Sequence, residues 1–238
     1  MAKREVGEIN AGSMADIAFL LLIFFLVTTT MEVDAGIGRN LPLKRDNQEQ
    51  LDIEIRKRDV FEIMVNSNDE LLVESQPLAI DDLEEKVEKF YTANITTETD
   101  VNLPEFSTIT RELCAQKIGE LKTVLAKNPD NTVAQSELES WELRLKICNI
   151  LPSNSFREIG KMAIIQLKNQ ANTSFGRYIE IQDILKKVVN KQRTEWAERL
   201  QFDKPYLELR DDVEEDIEKI KMLRILVPER IIEAPIQK

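Results

Sequence analysis

The feature that most constrains this chain is a single long apolar run near its N-terminus. Residues Ile17 to Val27 are uninterrupted apolar residues, and Thr28 to Met31 extend them, since helical threonine can return its hydroxyl to its own backbone. The eighteen residues from Met14 to Met31 would form a helix of about 27 Å, close to the thickness of a bilayer's hydrocarbon core. No A-x-A cleavage pattern follows the run, so the sequence favours a retained transmembrane helix over a signal peptide.

The charges on either side of the run predict its orientation. Lys3 and Arg4 precede it, and Glu32 and Asp34 follow it. By the positive-inside rule, residues 1–13 form a cytoplasmic tail. Everything after the membrane helix is then expected on the other side of the membrane.

Composition excludes several classes of function. The net charge is -11, and phosphate binding needs clustered Lys and Arg, so no nucleic-acid partner is expected. The chain has no histidine, which removes His-based triads and most zinc sites, and its seven glycines form no phosphate-binding loop. We therefore expect no enzymatic activity, no cofactor and no metal site. If the protein moves a proton, a carboxylate must carry it.

Asp16 stands at the head of the apolar run and allows two interpretations. Ser13 and Asp16 have the S-x-x-D spacing of a capping box, which would make Asp16 only the start of a helix. Alternatively, an ionisable side chain in a membrane helix marks a functional site, and Asp16 accepts protons. Its helix face carries no second charge, so any partner must come from another chain. Helical spacing places four residues on or near that face: Leu20, Ile23, Val27 and Thr30.

The sequence around Asp16 resembles the start of the ExbD/TolR family of biopolymer-transport proteins. The resemblance rests on Asn10, six residues before Asp16, on the apolar run that follows, and on the "RNLP" stretch at residues 39–42. Family members commonly have a Thr-Pro pair between the Asn and the Asp, where this chain has Gly-Ser. Residues 163–185 resemble the strand, loop and helix late in the family's periplasmic domain.

The resemblance implies a role for Asp16 as the proton-accepting carboxylate of an ion-driven motor in the bacterial inner membrane. It implies a homodimer whose two helices are surrounded by an ExbB/TolQ-like multi-span subunit in the lipid bilayer. The periplasmic domain would pass the motion to a TonB- or TolA-like protein and so power TonB-type transport across the outer membrane. The alternative is a TolR-like or purely structural anchor that binds cell wall or a partner, with Asp16 only a helix cap.

The rest of the sequence predicts a small periplasmic domain of the α+β class. Residues 32–50 are polar and predict a linker, and residues 51–238 predict the domain, with helices on one face of a small sheet. Residues 95–157 do not follow the family pattern and predict an inserted helical hairpin. The other expected elements are a strand hairpin, a helix, a buried strand, two helices and an edge strand: 59–75, 81–91, 162–167, 179–196, 211–226 and 229–236.

The two cysteines lie symmetrically within the inserted hairpin. Cys114 is 17 residues before Asn131 in the predicted turn, and Cys148 is 17 residues after it, so the two lie at the same height of an antiparallel pair. In an oxidising compartment we predict a disulfide between them. The alternative is two buried free thiols that serve as small apolar residues. The predicted apolar stripes are Leu113, Ile118, Leu121 and Leu125 in the first helix, and Leu138, Trp141, Leu145 and Cys148 in the second.

Overall fold

The computed structural model describes residues 11–29, 56–96, 100–170 and 173–234 of the chain. The chain divides into two compact units, Met1–Leu51 and Asp52–Lys238. The described part of the first unit is one helix, α1 (Ala11–Thr29).

Helix α1 exposes large apolar side chains on all of its sides. The large apolar side chains between Met14 and Phe25 are all exposed, with no polar stripe to separate one face from another. Among the described residues, no helix has both the length and the apolar character that crossing a membrane would require. The end of the predicted membrane helix at residues 30–31 and the predicted linker at 32–50 lie outside the described residues.

The described residues of the second unit form seven strands and five α-helices, which confirms the α+β class. In chain order these are β1 (Val60–Val65), β2 (Leu71–Val73), β3 (Gln76–Pro77), α2 (Leu83–Thr92), β4 (Phe106–Thr110), α3 (Arg111–Lys127), α4 (Thr132–Ile150), β5 (Ser155–Ile159), β6 (Ile164–Asn169), α5 (Phe175–Arg199), α6 (Glu214–Leu226) and β7 (Ile231–Glu233).

Five of these strands form the main sheet, in the order β3-β2-β1-β6-β7. Strand β1 pairs antiparallel with β2 and parallel with β6, and β7 runs parallel to β6. The β1–β6 ladder extends from Val60 opposite Ile164 to Val65 opposite Asn169. Strand β7 therefore lies at an edge of the sheet, as the sequence predicted.

One face of the main sheet carries the core. Alternation along β1 buries Phe61, Ile63 and Val65, and the same alternation along β6 buries Ile165 and Leu167. The residues of the opposite face remain half-exposed, so the helices cover one face only. The helical residues that share this core are Leu83, Val87, Phe90 and Tyr91 of α2, Ile181, Leu185, Val188, Val189 and Trp196 of α5, and Met222, Leu223 and Leu226 of α6.

The predicted strand hairpin and the predicted helix after it are both confirmed. In the turn between β1 and β2, Asn66 Oδ1 accepts hydrogen bonds from the backbone N–H groups of Asn68 and Glu70. Asp69 has a φ of 62°, which aspartate tolerates better than most residues. The four residues that α2 buries are the predicted stripe of Leu83, Val87, Phe90 and Tyr91.

Helices α3 and α4 form the predicted helical hairpin and pack against each other. A side chain caps the start of each one. Thr110 Oγ1 accepts the N–H of Leu113 at 3.2 Å, and Asn131 Oδ1 accepts the N–H of Ala134 at 3.0 Å. The "KNPDNT" segment thus ends one helix and caps the next.

The insert is not entirely helical, which corrects the prediction for residues 95–157. Strands β4 and β5 flank the two helices and pair antiparallel, from Phe106 opposite Ile159 to Thr110 opposite Ser155. Strand β4 could not be predicted from the sequence. Only Phe106 and Ile109 are buried along it, so the alternation of apolar and polar residues typical of a strand is missing.

The deepest face of α4 is also rotated from the predicted stripe. Leu138, Trp141 and Leu145 are only half-buried, because α4 packs on α6 and on the β4–β5 pair as well as on α3. The fully packed side of α4 consists of Leu143, Arg144, Ile147 and Cys148.

The second half of the unit follows the predicted order. The predicted strand 162–167 runs as β6 from Ile164 to Asn169, and the helix after it extends beyond Trp196 to Arg199. Ser174 caps α5 by accepting the N–H of Arg177 at 3.2 Å. The N–H of Ser174 in turn donates to Asp69 Oδ1 at 2.8 Å, which ties the β1–β2 turn to the start of α5.

Candidate functional site

Asp16 lies inside helix α1, beyond its first turn. The helix begins no later than Ala11, so Ser13 already has helical backbone and Asp16 is at least the sixth helical residue. A capping residue flanks the helix with a non-helical backbone, and the favourable effect of the helix dipole fades within the first turn. The capping-box interpretation of Ser13 and Asp16 therefore does not fit this helix.

The residues predicted to share the face of Asp16 are only partly described. Leu20 and Ile23 are exposed, as Asp16 is, and Val27 belongs to the same helix. Thr30 and Asn10 lie outside the described residues. Asp16 is the only charged residue in the sequence of α1. Among the residues of α1, therefore, none provides a counter-ion for the Asp16 carboxylate.

Cys114 and Cys148 lie side by side between α3 and α4, but the predicted disulfide is absent. Both are free, buried thiols whose side chains hydrogen bond to each other. Cys148 Sγ also donates to the Ile109 carbonyl at 3.7 Å. Burial raises the pKa of both thiols, that of Cys148 to about 12, so neither is a ready nucleophile near neutral pH.

A buried ion pair joins helix α4 to strand β5. Arg144 Nε and Nη2 donate to the two carboxylate oxygens of Glu158, both at 2.7 Å, and the side chains are 10% and 8% exposed. Arg144 also donates to the Ser140 carbonyl at 3.1 Å and lies 5.1 Å from the ring centroid of Trp141. This pair could not be predicted from the sequence, because no short motif links an arginine in a helix to a glutamate in a later strand.

Asp216 is a second buried carboxylate, at the start of α6. It accepts the N–H of Arg210 and the ammonium of Lys204, both at 3.2 Å, with Lys219 at 3.8 Å. Burial opposes its ionisation, but these donors outweigh burial and hold the pKa of Asp216 below its usual value. Asp216 is thus an ionised anchor for the preceding loop. Nowhere in the described residues do three acidic or cysteine side chains gather to hold a metal ion.

Comparison with known families places the chain in a class, the biopolymer transport proteins. Residues 2–193 of the 238 match the model of the family described as "Biopolymer transport protein ExbD/TolR". The chain belongs to the ExbD/TolR family. Its proteins are non-enzymatic, inner-membrane-anchored components of energy-transducing transport that work with ExbB/TolQ and TonB/TolA partners. No curated protein and no solved structure matches the chain.

Proposed function

We propose that this protein is an ExbD-like subunit of a proton-driven energy-transducing complex in the bacterial inner membrane, with Asp16 as its proton acceptor. Residues 14–31 form the single membrane helix, and residues 1–13 lie in the cytoplasm. The Asp52–Lys238 unit then lies in the periplasm. The complex powers TonB-type transport across the outer membrane.

The observation that carries the proposal is the place of Asp16 within α1. Asp16 lies past the first helical turn, in a helix with no other charge, and the large apolar side chains up to Phe25 surround the helix on all sides. A helix without a polar face does not pack by one stripe as surface helices of globular proteins do. An ionisable residue in a membrane helix is expensive and is therefore retained for a function.

The proposed mechanism uses the change of charge on Asp16. A proton arriving from the periplasmic side neutralises the carboxylate, which then no longer needs a polar partner. The helix can shift within the ring formed by an ExbB/TolQ-like multi-span subunit, and the proton leaves to the cytoplasm. Each charge that crosses is worth about 2.3 kcal/mol per 100 mV, which is enough to bias such a shift.

The proposed assembly is a homodimer whose two helices lie together inside the multi-span partner. The face formed by Leu20, Ile23, Val27 and Thr30 accompanies Asp16 toward that partner. The second unit passes the movement to a TonB-like protein in the periplasm. A TolR-like protein would instead deliver it to a TolA-like protein or hold the cell wall, and co-purification from membranes followed by identification of the partners separates these outcomes.

The test of the proton role is the substitution Asp16→Asn. Asparagine has nearly the same shape as aspartate, but its amide cannot gain and lose a proton as a carboxylate does. We expect Asp16→Asn to insert in membranes at normal levels and to abolish energy-dependent transport in a strain lacking the native protein. Asp16→Glu keeps a titrating group displaced by a methylene and should restore part of the activity at most.

A matched control is Ser13→Ala, which removes the other member of the candidate capping box. We expect this variant to support normal transport. A second readout is labelling with dicyclohexylcarbodiimide, which reacts with protonated carboxyl groups in apolar surroundings. The modification should fall on Asp16 in membranes and be missing from Asp16→Asn. Full transport by Asp16→Asn would reduce the residue to a structural role.

A further inference from the structure

A small pocket in the second unit collects more positive charge than its own acidic residues neutralise. It has a volume of about 340 Å³ and lies beside α4, the end of β5 and the residue that precedes β7. Such a volume suits a small molecule or one end of a larger ligand. The lining residues are Glu137, Ser140, Trp141, Arg144, Glu158, Lys161 and Arg230.

Two of the charged residues that line the pocket, Arg144 and Glu158, neutralise each other. They form the bidentate ion pair described above, and Arg144 Nη1 also donates a hydrogen bond to the Ser140 carbonyl. Neither charge of this pair is therefore left over for a ligand. Trp141 lies under the Arg144 guanidinium and gives the pocket its aromatic side.

Arg230 is a cation of the pocket that has no ion-pair partner among the described residues. It is half-buried, and the one hydrogen bond of its side chain to the described residues runs from Nη1 to the Gly160 carbonyl at 2.5 Å. No carboxylate of the described residues lies within ion-pair distance of it. Glu158 attracts it, but Arg144 already neutralises Glu158 and repels Arg230, and burial lowers the pKa of Arg230. A guanidinium has five N–H donors, so most of those of Arg230 remain available.

Lys161 adds a second cation at the mouth of the pocket. It is exposed and has no ion-pair partner among the described residues. Glu137 is the one carboxylate of the lining outside the buried pair, and it is exposed too. Because the charges of Arg144 and Glu158 cancel, the pocket is left with two cations, Arg230 and Lys161, and one anion, Glu137. This excess of positive charge stands out on a chain whose net charge is -11.

We propose that this pocket binds the carboxylate of a small organic acid or of a peptide C-terminus, held by Arg230 and Lys161. A planar guanidinium can bind a carboxylate through two parallel hydrogen bonds, and Trp141 offers an apolar surface for the rest of the ligand. Arg230 lies beyond residues 2–193, the part that matches the family. All the residues that line the pocket belong to the second unit, so this proposal does not depend on the proton role of Asp16.

The test uses N-acetylphenylalanine and its uncharged amide as matched probes on the full chain in detergent, measured by calorimetry at constant ionic strength. The acid should bind saturably, and the amide at least about tenfold more weakly, because it lacks the charge. Arg230→Gln and Lys161→Gln should each weaken binding of the acid, the first by about tenfold. Arg224→Gln, at an exposed arginine of α6, is the control and should leave the affinity unchanged.

Each outcome decides the proposal. Tryptophan fluorescence should change on binding in the wild type and not in Trp141→Phe, which retains Trp196. If Arg230→Gln fails to fold, Lys161→Gln at an exposed position still tests the site. Equal binding of acid and amide, an equal loss in Arg224→Gln, or no saturable binding overturns the proposal. Inorganic phosphate in place of the acid distinguishes a carboxylate site from a general oxyanion site, and tighter binding of phosphate also overturns it.

Discussion

Arg144 and Glu158 neutralise each other between α4 and β5, where neither charge could be buried alone. Their two hydrogen bonds of 2.7 Å and near-complete burial place them among the ion pairs whose rupture is costly. Most other ion pairs of the unit are far more exposed. Lys221 and Glu139, for example, are 47% and 58% exposed. Burial thus decides which of the charged residues matter for stability.

We predict that Arg144→Met lowers the free energy of unfolding by about 3–5 kcal/mol, because it leaves Glu158 buried without a partner. The double variant Arg144→Met with Glu158→Leu removes both charges and should recover most of that loss. Lys221→Met, which breaks an exposed pair, should cost less than about 1 kcal/mol. Urea unfolding of the second unit measures all three, and similar small losses in every variant would contradict the role of burial.

The burial of Cys114 and Cys148 leads to a prediction about how readily their thiols are alkylated. At pH 8 both are almost entirely protonated in the folded protein, because burial raises their pKa values, that of Cys148 to about 12. The thiolate is the form that reacts, so iodoacetamide should modify neither residue in the folded protein. After unfolding without reductant, mass spectrometry should find two adducts per chain. An absence of adducts would mean that the protein had been purified with the cysteines oxidised.

At the scale of single residues, the sequence marked Asp16 as the candidate site and predicted a helix around it, but it did not decide between a helix cap and a proton acceptor. The S-x-x-D pattern left a capping role open, and only the start of α1 at or before Ala11 separates Asp16 from the first turn. Arg144, Glu158 and Arg230 could not be found in this way. Their partners are distant in sequence, and the contacts arise only when α4, β5 and the segment before β7 come together.

At the scale of elements, the helices and strands whose buried residues follow a regular period were predicted correctly, and those with an irregular burial pattern were not. The stripe of α2 and the β1–β2 hairpin follow strict helical and alternating periods, and both were predicted residue by residue. Strand β4 buries residues three apart, which resembles a helical spacing, and α4 is buried on more than one side. Neighbouring elements impose both patterns, so a local reading of the sequence cannot resolve them.

The N-cap of α5 leads to a prediction about the stability of the second unit. Ser174→Ala removes the hydroxyl that accepts the N–H of Arg177 and should cost about 1 kcal/mol in the free energy of unfolding. Ser174→Asn restores an acceptor and should regain most of it, whereas aspartate would bring a second carboxylate close to Asp69. Thermal or urea unfolding tests this. A loss in the asparagine variant equal to that in alanine would show that the cap contributes nothing.

At the scale of the whole molecule, the second unit has one continuous core. Buried residues of the main sheet, of α2, α5 and α6, and of the insert all belong to the same cluster. The inserted helices are therefore not a separate domain attached to a finished one. The sequence predicted the insert as an addition to the family pattern, and the shared core could not be inferred without knowing which faces meet.

The proposed topology is tested by reporters on the full chain. Because the positive charges precede the apolar run, a periplasm-active reporter fused after Lys238 should be active. A reporter that works only in the cytoplasm should be inactive at the same site. As a control, Lys3→Glu with Arg4→Glu removes the charge bias and should lower the fraction of correctly oriented protein. Activity of the cytoplasmic reporter alone would reverse the proposed direction of proton flow.

The position of β1 has a mechanical consequence. The chain enters the main sheet at Val60, and β1 lies between β2 and β6 rather than at an edge. Tension applied ahead of Val60 along the strand axis therefore loads the six-residue β1–β6 ladder and the β1–β2 pairs in shear, all at once. An edge strand pulled sideways would instead peel away one bond at a time. A pull on the N-terminal side of β1 would therefore have to break several hydrogen bonds together before the strand left the sheet.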